Sequence, residues 1–331
     1  MSADTFRALI AEGSSSQYSV ALKQMAGDSL PAGDVLVEVL YSSLNYKDAL
    51  AVTGRGKVIR KFPLVCGIDL AGRVLESNAP DFRAGDEVLA VGQGLGESRW
   101  GGFSQRARVA ADALVRIPSG LDAKQAMVIG TAGFTAILCL IALENYGVRP
   151  GSKEMLVTGA TGGVGSVAVL LLAGAGYKVA ASTGRKEFEA YLRELGAATI
   201  VRRAELEQKT PPLASERWAG AIDTVGGQTL ASVIAATTAY GAVAACGLAG
   251  GAEFSSTVFP FILRNIALLG INSVNTPKLL RIQAWERLAQ ELPLEKLRVI
   301  TAVEPLSKIV QMSEQMLAGK LHGRVVIDVN S

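Results

Sequence analysis

The chain has a single histidine and three cysteines in 331 residues. Cys66, Cys139 and Cys246 lie far apart, are odd in number and nowhere form a CxxC pair. A disulfide framework and a cysteine-built metal centre are therefore not expected, and a reducing compartment fits better. His322 has no partner cluster and reads as structural. Neither sign of charge dominates: 33 basic against 30 acidic residues leave +3, too little to argue for nucleic acid or a membrane surface. Long apolar runs are missing too. The longest uninterrupted one, residues 136–143, falls far short of the ~20 residues of a spanning helix. The opening MSADTFRALIAEG carries Asp4 and no apolar signal core, so a cytoplasmic protein is expected.

What the chain does have is glycine, 36 residues of it, with 49% hydrophobic residues and a mean hydropathy of +0.30. That excludes a disordered chain. The length exceeds the ~250–300 residues at which a single core stops growing, so two domains are expected. The first part reads as short strands broken by Gly, Pro and Asp. Val35–Tyr41 alternates apolar and polar, Gly67–Leu75 reads similarly, Val88–Val91 follows a turn at Gly85-Asp86-Glu87, and Phe103–Val109 suggests a further strand. This pattern predicts a partly closed β structure. An Ala- and Leu-rich stretch from Ala126 to Leu143 predicts a buried helix.

The rhythm then changes. Met155–Thr158 reads as a short apolar strand, followed by a glycine turn and an apolar helix from Val164 to Gly174. Lys178–Ala181 is a second strand, with a helix at about 186–195. Thr199–Val201, Ala219–Asp223, Gly241–Ala245 and Ile266–Gly270 supply four more. Strands alternating with helices predict βαβ units and a parallel sheet. Helices near 283–291 and 307–318 and a strand Arg324–Asp328 close the chain.

The glycine turn Gly159-Ala-Thr161-Gly162-Gly163-Val164-Gly165 follows a strand and opens a helix. A pyrophosphate needs backbone N–H groups aimed at it, no Cβ in the way and the positive end of a helix behind it. Gly162 allows the close approach and Gly165 lets helix pack on strand. Which dinucleotide binds is decided past the second strand. There, Ser182-Thr183-Gly184-Arg185-Lys186 offers hydroxyls and a guanidinium, with no acid before Glu187. An acid there would hold a ribose 2′-hydroxyl, whereas Arg185 can fork a 2′-phosphate, so NADP(H) is the expected cofactor.

Asn45-Tyr-Lys-Asp48, Gly67-Ile-Asp-Leu-Ala-Gly72, Gly101-Gly-Phe103, Gly130-Thr-Ala-Gly-Phe-Thr135 and the glycine turn occur in one order. In this order they resemble the medium-chain dehydrogenase/reductase superfamily, on its quinone-oxidoreductase side. Ser43–Ala49, Trp218–Gly226, Ala245–Gly251 and Pro260–Asn265 are similar to its acrylyl-CoA reductase (NADPH) branch. The resemblance spans residues 6–330. It implies an α/β fold: a GroES-like, partly closed β-barrel catalytic domain into which a doubly wound parallel-sheet Rossmann domain is inserted. On this reading 1–126 is the catalytic domain, 127–271 the NADP-binding domain and 272–331 the return to the catalytic domain. A homodimer acting on a small molecule, without nucleic acid or membrane partners, is also implied.

Alcohol dehydrogenases of this superfamily hold catalytic zinc with a Cys and a His in the segments matching Asn45 and Ile68. Neither residue is a plausible ligand, so no metal is expected, and Cys66 beside that position reads as packing. The resemblance implies Tyr46 and Asn45 as catalytic residues, with Tyr46 also against the cofactor. It further implies Thr161, Gly162, Gly163, Val164, Ser182, Thr183, Gly184, Arg185 and Arg203 around the phosphates. Leu248 would lie by the nicotinamide ribose, Ile262 and Ser273 by its amide, and Arg324 would close the site. Lys47 and Asp48 read as a structural ion pair or as reactive groups. The cations Arg55, Lys57, Arg60 and Lys61 read either as a contact for coenzyme A phosphates or as a solvated loop. The expected reaction is hydride transfer to the β-carbon of a short 2-enoyl-CoA. A quinone or α,β-unsaturated ketone reductase and a non-catalytic NADPH-binding protein are the alternatives.

Overall fold

The structure is a computed structural model and describes residues 4–331. The chain divides into two compact units. The first comprises residues up to Thr131, Val274–Ala289 and Ile300–Ser331, and the second Ala132–Ser273 with Gln290–Val299. The sequence boundaries lie at 126/127 and 271/272. The units divide five and two residues later, and the short Gln290–Val299 segment belongs to the second.

The first unit opens with a long hairpin, β1 (Thr5–Ser14) and β2 (Gln17–Ala26), which the sequence reading passed over. β3 (Val35–Leu44) follows, then helix α1 (Tyr46–Thr53), β4 (Leu64–Val65), β5 (Asp69–Ser77), β6 (Glu87–Val91), β7 (Arg106–Val109) and β8 (Val115–Arg116). Helix α2 (Ala123–Tyr146) leads out of this unit. α1 starts where it does because Asn45 and Asp48 form a capping box, the Asn45 N–H donating to Asp48 Oδ2 at 2.9 Å. It stops at Gly54, which takes the left-handed conformation that L side chains avoid. α2 breaks at Gly130, whose φ of 49° and ψ of −160° are not helical.

In the second unit come β9 (Glu154–Val157), α3 (Gly163–Gly174), β10 (Val179–Thr183), α4 (Glu189–Leu195), β11 (Ala197–Arg202) and α5 (Arg203–Leu206). β12 (Trp218–Asp223), α6 (Gly227–Ala236), β13 (Thr237–Ala245), α7 (Phe259–Arg264) and β14 (Ala267–Gly270) complete its main part. The chain ends with α8 (Lys278–Glu291), α9 (Leu297–Ile300), β15 (Thr301–Pro305), α10 (Ile309–Leu317) and β16 (Arg324–Asp328).

In the first unit a three-stranded sheet runs β2-β1-β4. A seven-stranded one runs β15-β16-β3-β5-β6-β8, with β7 on β3. Their shared core includes Leu44, Leu70, Val88, Phe103 and Cys66, and Trp285 is fully enclosed. In the second unit all six strands lie in one parallel sheet, ordered β11-β10-β9-β12-β13-β14. The order reverses between β9 and β12, the point at which doubly wound sheets place a ligand beyond the strand ends. Every residue of β10 is buried, as a strand covered on both faces requires. Trp218 is buried in this core with Leu156, Val243 and Ile234. α2 has the length and composition of a membrane span, but 89% of its apolar window is buried within the protein. It is a core helix, built from the run read as a buried helix over 126–143.

Candidate functional site

In the second unit, the glycine turn joins β9 to α3 as the sequence predicts. Gly162 caps the helix with an extended backbone and without a side-chain hydrogen bond, so the first amides of α3 keep donors for a ligand. A Cβ at Gly165 would press on the Gly159 carbonyl and come within 2.7 Å of Ala160 Cα. Only glycine lets the helix sit this close to the turn. The turn is braced from below: Thr158 Oγ1 donates to Asp223 Oδ1 at 2.6 Å and the Gly226 N–H donates to Asp223 Oδ2 at 2.8 Å. Burial above all pushes the Asp223 carboxyl up from its ordinary value. This brace was not foreseen. Its signal was an acid closing the apolar run Ala219–Asp223.

Past β10, a pocket of about 200 Å³ is lined by Thr183, Gly184, Lys186, Arg202 and Arg203, with Glu189, Ile200 and Ala204. Arg203 lies against Gly184: a Cβ there would sit 2.9 Å from its Cζ. Arg185 donates to Thr161 Oγ1 at 2.5 Å and lies over the Phe188 ring at 4.7 Å, while its N–H donates to Thr183 Oγ1 at 3.1 Å. Arg185 thus ties the glycine turn to the end of β10, and Arg203 offers the more open guanidinium. Ser182 is 2% exposed and does not line this pocket. Four lining cations or hydroxyls, Thr183, Lys186, Arg202 and Arg203, fit a phosphorylated adenosine ribose. Leu248 and Ile262 expose apolar side chains after β13 and on α7, and Ser273 is half-buried.

In the first unit, Tyr46 is the first residue of α1 and 48% exposed. Asn45 behind it is a different matter. It is buried, and its Nδ2 donates to Asp69 Oδ2 at 2.9 Å and to Asp48 Oδ2 at 3.2 Å, while its Oδ1 accepts from Arg324 Nη1 at 3.1 Å. Both ends of the amide are spoken for within the protein. Against the expected role as a donor to substrate, the amide is held on protein partners, and the residue caps α1. Arg324, expected to close the site, is likewise turned to protein partners. Its three nitrogens donate to Val128 O, Asn45 Oδ1 and Ser43 Oγ at 2.8, 3.1 and 2.8 Å, and it is 2% exposed. A guanidinium so enclosed is held on protein atoms.

Asp48 does not pair with Lys47. It accepts from Asn45 and from the Ile68 N–H at 2.9 Å, and burial, then the neighbouring Asp69, pushes its carboxyl up to about 7. Lys47 instead meets Glu97 Oε1 at 2.9 Å, and Arg60 approaches the other oxygen at 3.7 Å. Of the four loop cations, Arg55 turns to Glu314 at 2.6 Å, whereas Lys57, Arg60 and Lys61 are exposed. Cys66 packs in the core, its thiol pushed up to about 12 by burial. A zinc ion does not fit at Asn45 and Ile68, a committed amide and an aliphatic side chain. Among the described residues no cluster of three or more His, Cys, Asp or Glu side chains forms a metal site. Asp69, Ser43 and Thr131 were missed. Their partners lie up to 281 residues away, and the only sign was an acid inside the apolar Gly67–Gly72 segment.

Comparison with known proteins bears on this arrangement. The family model described as "Alcohol dehydrogenase GroES-like domain" matches residues 31–119, and "Zinc-binding dehydrogenase" matches 163–292. The "Probable acrylyl-CoA reductase AcuI" of Escherichia coli (strain K12) is 50% identical over 98% of this chain and 100% of that protein. The "Putative quinone oxidoreductase YhfP" of Bacillus subtilis is 44% identical over 97% and 98%. The crystal structure of E. coli K-12 YhdH with bound NADPH superposes with a TM-score of 0.95 at 50% identity, covering 98% of this chain and 100% of that one. With the glycine turn, the parallel sheet and these likenesses together, the chain belongs to the medium-chain dehydrogenase/reductase superfamily, in its acrylyl-CoA reductase branch.

Proposed function

We propose that the protein reduces the activated C=C bond of a short 2-enoyl-CoA, acrylyl-CoA to propanoyl-CoA, with NADPH and without zinc. The observation that carries the cofactor is the pocket past β10, where Thr183 stands at the strand end an acid would take in an NAD site and Arg203 lines the same pocket. When bound, the reduced nicotinamide supplies the hydride to the β-carbon. The protein's own part is to orient and to stabilise charge. As hydride arrives, negative charge develops on the thioester oxygen, and a donor aimed at it lowers the barrier. Tyr46 is the exposed donor at the start of α1, and its hydroxyl is assigned to that oxygen or to the proton delivered at the α-carbon. The α1 N-terminus, held by its capping box, fixes where that hydroxyl stands. Lys57, Arg60 and Lys61 are assigned to the phosphates of coenzyme A.

A quinone or α,β-unsaturated ketone reductase is the second reading, favoured by the YhfP likeness at 44% identity. Initial rates with acrylyl-CoA and with 1,4-benzoquinone, each with NADPH and NADH, test both. Faster NADPH oxidation with acrylyl-CoA supports the first, a preference for the quinone supports the second, and no turnover with either points to a non-catalytic NADPH-binding protein. We also infer a cytoplasmic homodimer that pairs through apolar residues at α7, where Val258, Phe259 and Leu263 are 46–64% exposed.

A further inference from the structure

We propose that Asp69 and Arg324 are positioning residues for this reaction: they lock the amide of Asn45 in one orientation, and Asn45 in turn holds the first turn of α1, where Tyr46 stands. The inference rests on the assignment of Tyr46 given above. Asn45 Oδ1 accepts from Arg324 Nη1 at 3.1 Å, and its Nδ2 donates to Asp69 Oδ2 at 2.9 Å, Asp48 Oδ2 at 3.2 Å and the Ser43 carbonyl at 3.3 Å. A flipped amide would set NH₂ against guanidinium and oxygen against two carboxylates, so one orientation is enforced. The same residue is the cap of α1, its N–H on Asp48 and its carbonyl accepting from the Ala49 N–H at 3.0 Å. Tyr46 is the next residue and the first of α1, so its backbone position follows from the cap.

Asp69 is itself fixed from three sides. Ser43 Oγ donates to Oδ2 at 2.5 Å, the Thr131 N–H donates to Oδ2 at 2.8 Å and Thr131 Oγ1 donates to Oδ1 at 2.5 Å. Thr131 reaches it only because α2 breaks at Gly130. A Cβ at that glycine would come within 2.5–2.7 Å of Arg324 Nη2, Ser43 Oγ and Asp69 Oδ2. Strands β3, β5 and β16, the cap of α1 and the break in α2 thus converge on one buried amide. Ser43, Asn45, Asp69 and Arg324 are buried, whereas Tyr46 is exposed, so these four act on it through geometry.

The experiment compares Asp69→Asn, Thr131→Val, Thr131→Ser and Tyr46→Phe in the full chain, checked for folding by circular dichroism. Thr131→Val removes the hydroxyl bond to Asp69 and keeps the N–H bond, so it serves even where Asp69→Asn does not fold. Expected are a kcat lower by about ten-fold in Asp69→Asn and about three-fold in Thr131→Val, with KM for NADPH within about two-fold of the parent. Thr131→Ser, which keeps the hydroxyl, restores kcat. A Thr131→Val enzyme with unchanged kcat, or with KM for NADPH raised as much as kcat is lowered, overturns the proposal. So does a Thr131→Ser enzyme no better than Thr131→Val. If Tyr46→Phe is as fast as the parent, it is instead the assignment of Tyr46 that fails.

Discussion

At the scale of single residues, the buried carboxyl of Asp48 gives the protein a defined pH response. Its folded value, about 7, lies above its ordinary 3.8, so the folded state binds more protons than the unfolded between those limits. Stability therefore falls as pH rises from about 4 to about 7 and levels off above. The thermal midpoint is expected to be higher at about pH 5 than at about pH 8, with a smaller difference in Asp48→Asn. At the phosphate pocket, Arg203→Ala and Arg185→Ala should each raise KM for NADPH by about ten-fold and leave NADH nearly unchanged, because a charge-assisted hydrogen bond contributes roughly 1.5–3 kcal/mol. An equal loss with NADH would mean the pocket serves the fold and not the 2′-phosphate. Arg185 stands out in the sequence because it follows a strand in an acid-free segment. The bond between Asn45 and Arg324 does not, since it joins residues 279 positions apart, and no local pattern encodes that distance.

Among the elements, those with a strong period were read almost to their ends. β16 matches its sequence reading residue for residue, and the six strands of the parallel sheet were each found within four residues of their bounds. Hydrophobic runs buried on both faces announce themselves. The β1–β2 hairpin escaped because β2 is exposed along most of its length, so it carries no apolar alternation to see. α1 escaped because its eight residues hold barely two turns. The glycine turn can be tested as an element: Gly165→Ala forces the helix off the Gly159 carbonyl and should abolish NADPH binding in a fluorescence titration. Reversing charge at Arg60 and Lys61 together should raise KM for a CoA ester by about ten-fold while sparing 1,4-benzoquinone. Equal effects on both substrates would remove this loop from the binding site.

For the whole molecule, the inferred pairing through α7 is open to light scattering. A dimer is expected, and Phe259→Lys with Leu263→Lys should yield a monomer. The division into two units was readable from length and from the change of rhythm, while the return of Gln290–Val299 to the second unit was not, because it depends on packing alone. That division meets a convenient distribution of indoles. Of three tryptophans, Trp218 alone lies in the second unit, fully enclosed, whereas Trp100 and Trp285 lie in the first. Trp218→Phe therefore leaves an emission that reports only one half of the protein melting, and the difference from the parent reports the other. Added nucleotide, by mass action on the half that holds it, should then delay one colour change and leave its companion where it was.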